Sequence, residues 1–180
     1  MVTHKIATRD ICLIGVFAAF IAVMSQIGIP MPYGVPLTMQ TFAIPFAGIV
    51  LGAKRGSFAV LVYVLLGAAG VPVFANLRGG INIVLGSTGG FILSFPVMAW
   101  LAGAGAAGKN KVWICAGLLL GAIVNYVCGM FVYAVITQSN MATAFVACIL
   151  PFIPTAIIKM ILAGLAGVKS RMVLERSRLV

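Results

Sequence analysis

TFAIPFAGIVLGAKRGSFAVLVYVLLGAAG, residues 41–70, is two apolar runs joined by one basic pair, Lys54 and Arg55. Neither run tolerates water, and two adjacent cations do not sit in hydrocarbon, so the segment reads as a helical hairpin whose turn lies at a membrane surface. The runs 41–53 and 56–70 are short for spans, since a crossing helix needs about 20 mostly apolar residues. The same alternation continues outward. A first span covers 11–29, with Thr8 or Asp10 placed to cap its start. A fourth covers 91–107, a fifth 112–136 and a sixth 154–168, opened by Pro154 in a first helical turn. TQSN at 137–140 is a turn signal. Residues 141–150, bounded by Pro151 and Pro154, read as a short interfacial helix.

Composition agrees. The chain is 63% hydrophobic and 8% charged, whereas a soluble domain is about 45–50% apolar and about 25% charged. The first residues, MVTHKIATRD, resemble the start of a signal peptide, but the apolar run after them is too long and others follow. The expectation is one integral membrane domain over 1–180 with no cleaved leader. Basic residues then orient it. Lys5, Arg9, Lys54, Arg55, Lys109, Lys111, Lys169, Arg171, Arg176 and Arg178 fall on the side shared by both termini. Arg78 alone lies opposite, and Lys159 is left within the membrane. The positive-inside rule makes the ten-residue side cytoplasmic. The fold class is therefore an all-α, multi-pass protein of the cytoplasmic membrane: six transmembrane helices, both ends inside, and irregular loops 30–40 and 71–90 capping a ligand cavity on the outer side. The net charge of +10 is scattered in ones and twos, which argues against nucleic acid; the lipid bilayer is the surrounding partner.

Little catalytic chemistry is available. The two carboxylates, Asp10 and Glu175, lie at cytoplasmic ends, and the one histidine, His4, lies in the N-terminal tail. Neither an acid–base pair nor a three-ligand metal site can be assembled, so an enzyme is not expected and no metal or cofactor is. GAKRGS (52–57) and AGKN (107–110) lack the spacing of a phosphate-binding loop. No acid lies within a span to carry protons. Uphill transport would need energy from another chain. Cys12, Cys115, Cys128 and Cys148 stand singly in apolar surroundings and read as helix-packing residues.

Candidate ligand contacts cluster at the outer side. Lys159 is either a cation snorkelling to the interface or the partner of an anionic ligand. Asn76 and Asn82 flank Arg78; Thr88, Gly89 and Gly90 close the long loop; Thr38, Gln40 and Thr41 end the other; Asn125 and Tyr126 sit in span five. Each amide has an equal reading as a loop or helix-packing hydrogen bond. Tyr33, Phe42, Phe74 and Phe91 offer apolar walls for a ring. Span one sets Gly15 with Ala19, and Ala18 with Ala22, at four-residue spacing, which suits either internal packing or close docking of a partner helix.

These motifs, in order, resemble the BioY family, the biotin-binding S components of energy-coupling-factor (ECF) vitamin transporters. GVFAAFIAV (15–23) leads into IPMPYGVPLTMQTFA (29–43), similar to the family's opening helix and its P-V-P-x-T-x-Q-T loop. GIVLGAKRGSFAVLVYVLLGAAGVPVFAN (48–76), GSTGGFILSF (86–95) and PFIPTAIIK (151–159) match the family's next three runs. The resemblance implies biotin as the ligand, with Asn76, Thr88, Gly89, Gly90 and Lys159 at the pocket. It also implies a transmembrane coupling protein and two ATPase subunits as partners, ATP being used only by those, with span one as the docking face; some members are thought to act without that module, which leaves self-association open. Two positions depart from the pattern. Ser87 replaces a proline, and Ala156 stands where the family has an aspartate, one turn before Lys159. Two alternatives follow: an S component for another small vitamin, and an accessory membrane protein without a ligand pocket.

Overall fold

The computed structural model describes residues 8–108 and 110–177; His4, Lys5, Lys109 and Arg178 lie outside the described residues. The helices in chain order are α1 (Thr8–Gln26), α2 (Gln40–Leu51), α3 (Ala53–Ala68), α4 (Ile81–Val84), α5 (Gly89–Gly105), α6 (Lys111–Thr137), α7 (Met141–Cys148) and α8 (Ile153–Arg176). Six of these, all but α4 and α7, occupy the six expected spans. Length and apolarity alone qualify α1, α6 and the Met141–Arg176 segment for crossing a membrane, while α2 and α5 are shorter apolar helices.

The shortest of the six sits at the centre. α2 packs against α1, α3, α5 and α8, and it is buried nearly all round, from Gln40 to Leu51. A helix apolar on every face belongs inside, not on a surface. Gly48 makes the contact with α5 close: a Cβ there would lie 2.1 Å from the Ala99 carbonyl oxygen. At about 18 Å for 12 residues, α2 does not fill the thickness of the hydrocarbon layer. Space is left above its N-terminus. The outer surface of the bundle is apolar as well, with Leu65, Leu93, Trp100, Leu119, Phe131 and Ile158 among the exposed side chains, as lipid requires.

One end of the bundle is basic. Asp10, in the first turn of α1, meets Arg55 of α3 at 3.2 Å. Arg171 of α8 pairs with Glu175 at 3.0 Å and donates to the Ile49 carbonyl near the C-terminus of α2 at 3.3 Å. A cation there complements the exposed carbonyls. These contacts correct the expected end of span six at 168: α8 continues to Arg176, because Leu174 packs under α1 and α2 beside Leu13, Ile14 and Val50, while charges line its other faces. α1 keeps the expected length of 19 residues but starts three residues earlier, at Thr8. It stops at Gln26, and the chain forms a two-residue ribbon, β1 (Gly28–Ile29) against β2 (Leu37–Thr38), antiparallel with Gly28 opposite Thr38. Gln138, left-handed at φ 52°, closes α6, and Asn140 caps α7 by accepting from the Thr143 amide at 2.7 Å. Of the four cysteines, all free, only Cys148 is buried; Cys12, Cys115 and Cys128 are exposed on the bundle's outside, which corrects their reading as packing residues.

Candidate functional site

Above the N-terminus of α2 lies a cavity of about 300 Å³, the lower end of the range for small-molecule sites. The loop 30–36 forms one wall, the loop 74–88 a second, and Phe91, Ile92 and Phe95 of α5 a third; Tyr126, Cys148, Phe152 and Lys159 complete it. The ribbon holds the first loop in register, and the Tyr133 hydroxyl donates to the Tyr33 carbonyl at 3.3 Å.

Lys159 is the central feature. It projects from α8 toward α2, is only 7% exposed, and donates to the Thr38 carbonyl at 2.6 Å and more distantly to the Thr41 hydroxyl at 3.4 Å. It does not snorkel. No carboxylate balances it, since the chain's two acids sit at the far, basic end. Ala156, one turn earlier on the same helix, is buried at 7% exposure. An unpaired buried ammonium costs several kcal/mol, and here backbone and hydroxyl dipoles are its protein partners.

A second polar system supports this floor. Thr38 donates to the Gln40 side-chain oxygen at 2.9 Å, and the Gln40 amide donates to the Tyr63 hydroxyl at 2.5 Å. Tyr63 in turn donates to the Val73 carbonyl at 3.2 Å, which also accepts from Ser25 at 2.5 Å. Gln26 reaches across to the Phe74 carbonyl at 3.1 Å and accepts from the Leu77 amide at 2.9 Å. A chain of hydrogen bonds thus runs from the end of α1 through the long loop to the lysine. Buried polar groups must be bonded, and here that requirement ties three elements to one site. Ser25, Gln26 and Tyr63 were not among the sequence candidates, although Ser25 and Gln26, polar side chains near the end of an apolar run, were a visible signal.

Eight of the eleven expected ligand contacts, Thr38, Gln40, Thr41, Asn76, Asn82, Thr88, Tyr126 and Lys159, line the cavity. Gly89 and Gly90 do not. They are the first residues of α5, both buried, and their role is contact: a Cβ on Gly90 would meet the Cys128 carbonyl oxygen of α6 at 2.2 Å. Among the aromatic candidates Phe74 and Phe91 line the cavity, whereas Phe42 stacks on Phe46 with centroids 5.6 Å apart. Asn125 lies behind the wall, donating to the Phe91 carbonyl at 3.0 Å and to Ser94 at 2.9 Å. The neighbouring Tyr126 meets Phe91 edge to face at 6.3 Å. Arg78, read from sequence as a lone outer charge, lines the cavity too. The small residues of α1 divide: Gly15 and Ala19 are exposed, while Ala18 is in the core and Ala22 packs against it. Among the described residues no three potential metal ligands come together.

The fold matches that of a solved S-component for biotin from an ECF-type ABC transporter, with a TM-score of 0.83 over 96% of this chain and 95% of that one at 24% identity. Sequence comparison is closer. A probable biotin transporter of Pyrococcus horikoshii is 40% identical over 84% of this chain and 89% of its own length. A biotin transporter of Thermotoga maritima is 36% identical over 89% and 95%, and one of Rhodobacter capsulatus 33% over 88% and 91%. The family model described as BioY matches residues 1–176. A relative of this identity and coverage, together with a family match over nearly the whole length, makes this chain a member of the BioY family.

Proposed function

We propose that this protein binds biotin in the outer cavity and serves as the substrate-capturing subunit for biotin uptake across the cytoplasmic membrane. The observation that carries the reading is the buried Lys159, a cation without an acid, at the floor of a cavity walled by Phe91, Phe95 and Tyr126. A bicyclic ring with a carbonyl and one carboxylate offers what that site lacks: an acceptor for the ammonium and apolar faces for the aromatic walls. Gln40, Asn76, Asn82 and Thr88 supply further polar contacts around the ring, while Gly89 sets how closely α5 follows α4 and Gly90 how closely α5 approaches α6. The relatives' names point to the same ligand.

The chain acts by binding and release, not by catalysis. No acid within the bundle can couple a proton gradient to transport. Energy therefore comes from partners, a transmembrane coupling protein and two ATPase subunits; where these are absent the partner is a second copy of the chain, which supplies no energy of its own. Gly15 and Ala19 form the outward small-residue stripe of α1 on which a partner helix can approach closely; Ala18 and Ala22 are taken up internally. One observation favours a second reading. Ala156 leaves the pocket floor without a carboxylate to accept ureido N–H groups, which a ring compound with fewer donors would not need. Radiolabelled biotin added to the purified protein in detergent tests the choice. Saturable binding of one biotin per chain supports the proposal; no biotin binding, with saturable binding of another vitamin, supports the second reading.

A further inference from the structure

We infer that Arg78, at the mouth of the cavity, seats the ligand's carboxylate, and that Lys159 at the floor takes a neutral carbonyl oxygen. The inference rests on the biotin reading above and assigns the ligand's direction within the site. The cavity contains two cations and no anion, and none is available, because Asp10 and Glu175 pair with Arg55 and Arg171 at the other end of the bundle. One carboxylate thus has two candidate seats. Lys159 is 7% exposed and already donates to Thr38 and Thr41. Bringing a carboxylate to it strips that anion of all its water, which a single ammonium with one donor left repays poorly. A carbonyl oxygen loses far less water and needs only one donor. Arg78 is exposed, and among the described residues its guanidinium has no hydrogen bond or ion pair. Its planar fork matches a carboxylate with two parallel bonds.

The loop is built to hold that arginine in place. Asn76 and Leu77 both take left-handed backbone, φ 59° and 55°, a conformation that costs a leucine free energy and concentrates at ligand clamps. The turn is pinned on both sides: the Leu77 amide donates to Gln26 at 2.9 Å, the Phe74 amide to the Arg78 carbonyl at 2.9 Å, and the Gly80 amide to the Gly67 carbonyl at 2.7 Å.

The test compares biotin with biotinamide, its uncharged carboxamide, for binding to the purified full chain and to three variants that elute as the wild type does. Wild-type protein is expected to prefer biotin by about tenfold or more. Arg78→Gln brings that ratio close to one by weakening biotin alone, and Arg78→Lys restores most of it. Lys159→Met weakens both ligands equally and preserves the ratio. A ratio retained in Arg78→Gln, or lost in Lys159→Met, overturns the assignment. Wild type that binds both ligands equally overturns it while leaving biotin as the ligand; wild type that binds neither overturns the biotin reading and this one together.

Discussion

A lysine ammonium carries three donors, and Lys159 directs one at the Thr38 carbonyl at 2.6 Å inside a protein whose acids are all elsewhere. At the residue scale, the account turns on this missing counter-charge. Ala156 is buried one turn before it on the same helix, so Ala156→Asp would set a carboxylate beside both the ammonium and the cavity. We expect that variant to tighten biotin binding, read by equilibrium titration; unchanged or weaker binding would count against the position of the ligand ring near α8. Much of this was legible from sequence. Lys159 stands out as the one cation that topology does not explain, and Asn76, Asn82 and Thr88 stand out as polar groups in an outer loop. Ser25, Gln26 and Tyr63 were not, because their partners are carbonyls of a loop about 50 residues away for the first two, and which carbonyl a hydroxyl meets depends on packing rather than on local pattern.

Helix against helix, the decisive contacts are backbone to backbone. A Cβ on Gly90 would come within 2.2 Å of the Cys128 carbonyl oxygen, which cannot move without moving α6. Gly90→Ala is therefore expected to destabilise the protein by about 1–3 kcal/mol, as overpacking does, and to lower its thermal midpoint in detergent. Gly15→Ala is the control, since nothing lies within 4 Å of that position; its midpoint should match the wild type. The bulkier pair Gly15→Leu and Ala19→Leu should leave biotin binding in detergent intact while reducing uptake by cells, if α1 presents the docking stripe. Loss of binding along with uptake would make that face part of the internal packing instead. Sequence pattern located these helices, most of their ends to within a few residues. It misjudged the ends of α1, α5 and α8, where a β ribbon, a glycine contact and an ion-paired extension decide the boundary. Glycines 89 and 90 show why: a residue without a side chain reads as a loop from sequence and as a close contact only once its neighbour is known.

For the whole molecule, the basic end and the cavity end are opposite poles of one bundle, and the six-helix layout follows from where the charges fall. Membrane-impermeant maleimide should label Leu77→Cys in intact cells, and Ser177→Cys only after the membrane is opened; the reverse pattern would invert the orientation. Both sites are exposed, so access reports sidedness rather than burial. What composition and charge could not supply was the depth of the cavity, which depends on α2 being about 18 Å long and on the loops that fold over it. The central claim is that this outer cavity holds biotin against Lys159. Its most direct test is a titration of wild-type protein and Lys159→Ala with radiolabelled biotin, with thermal midpoints measured to show that both are folded. The account predicts one site per chain in the wild type and at least tenfold weaker binding, about 1.4 kcal/mol, in the variant. Equal affinity in the two folded proteins would contradict it.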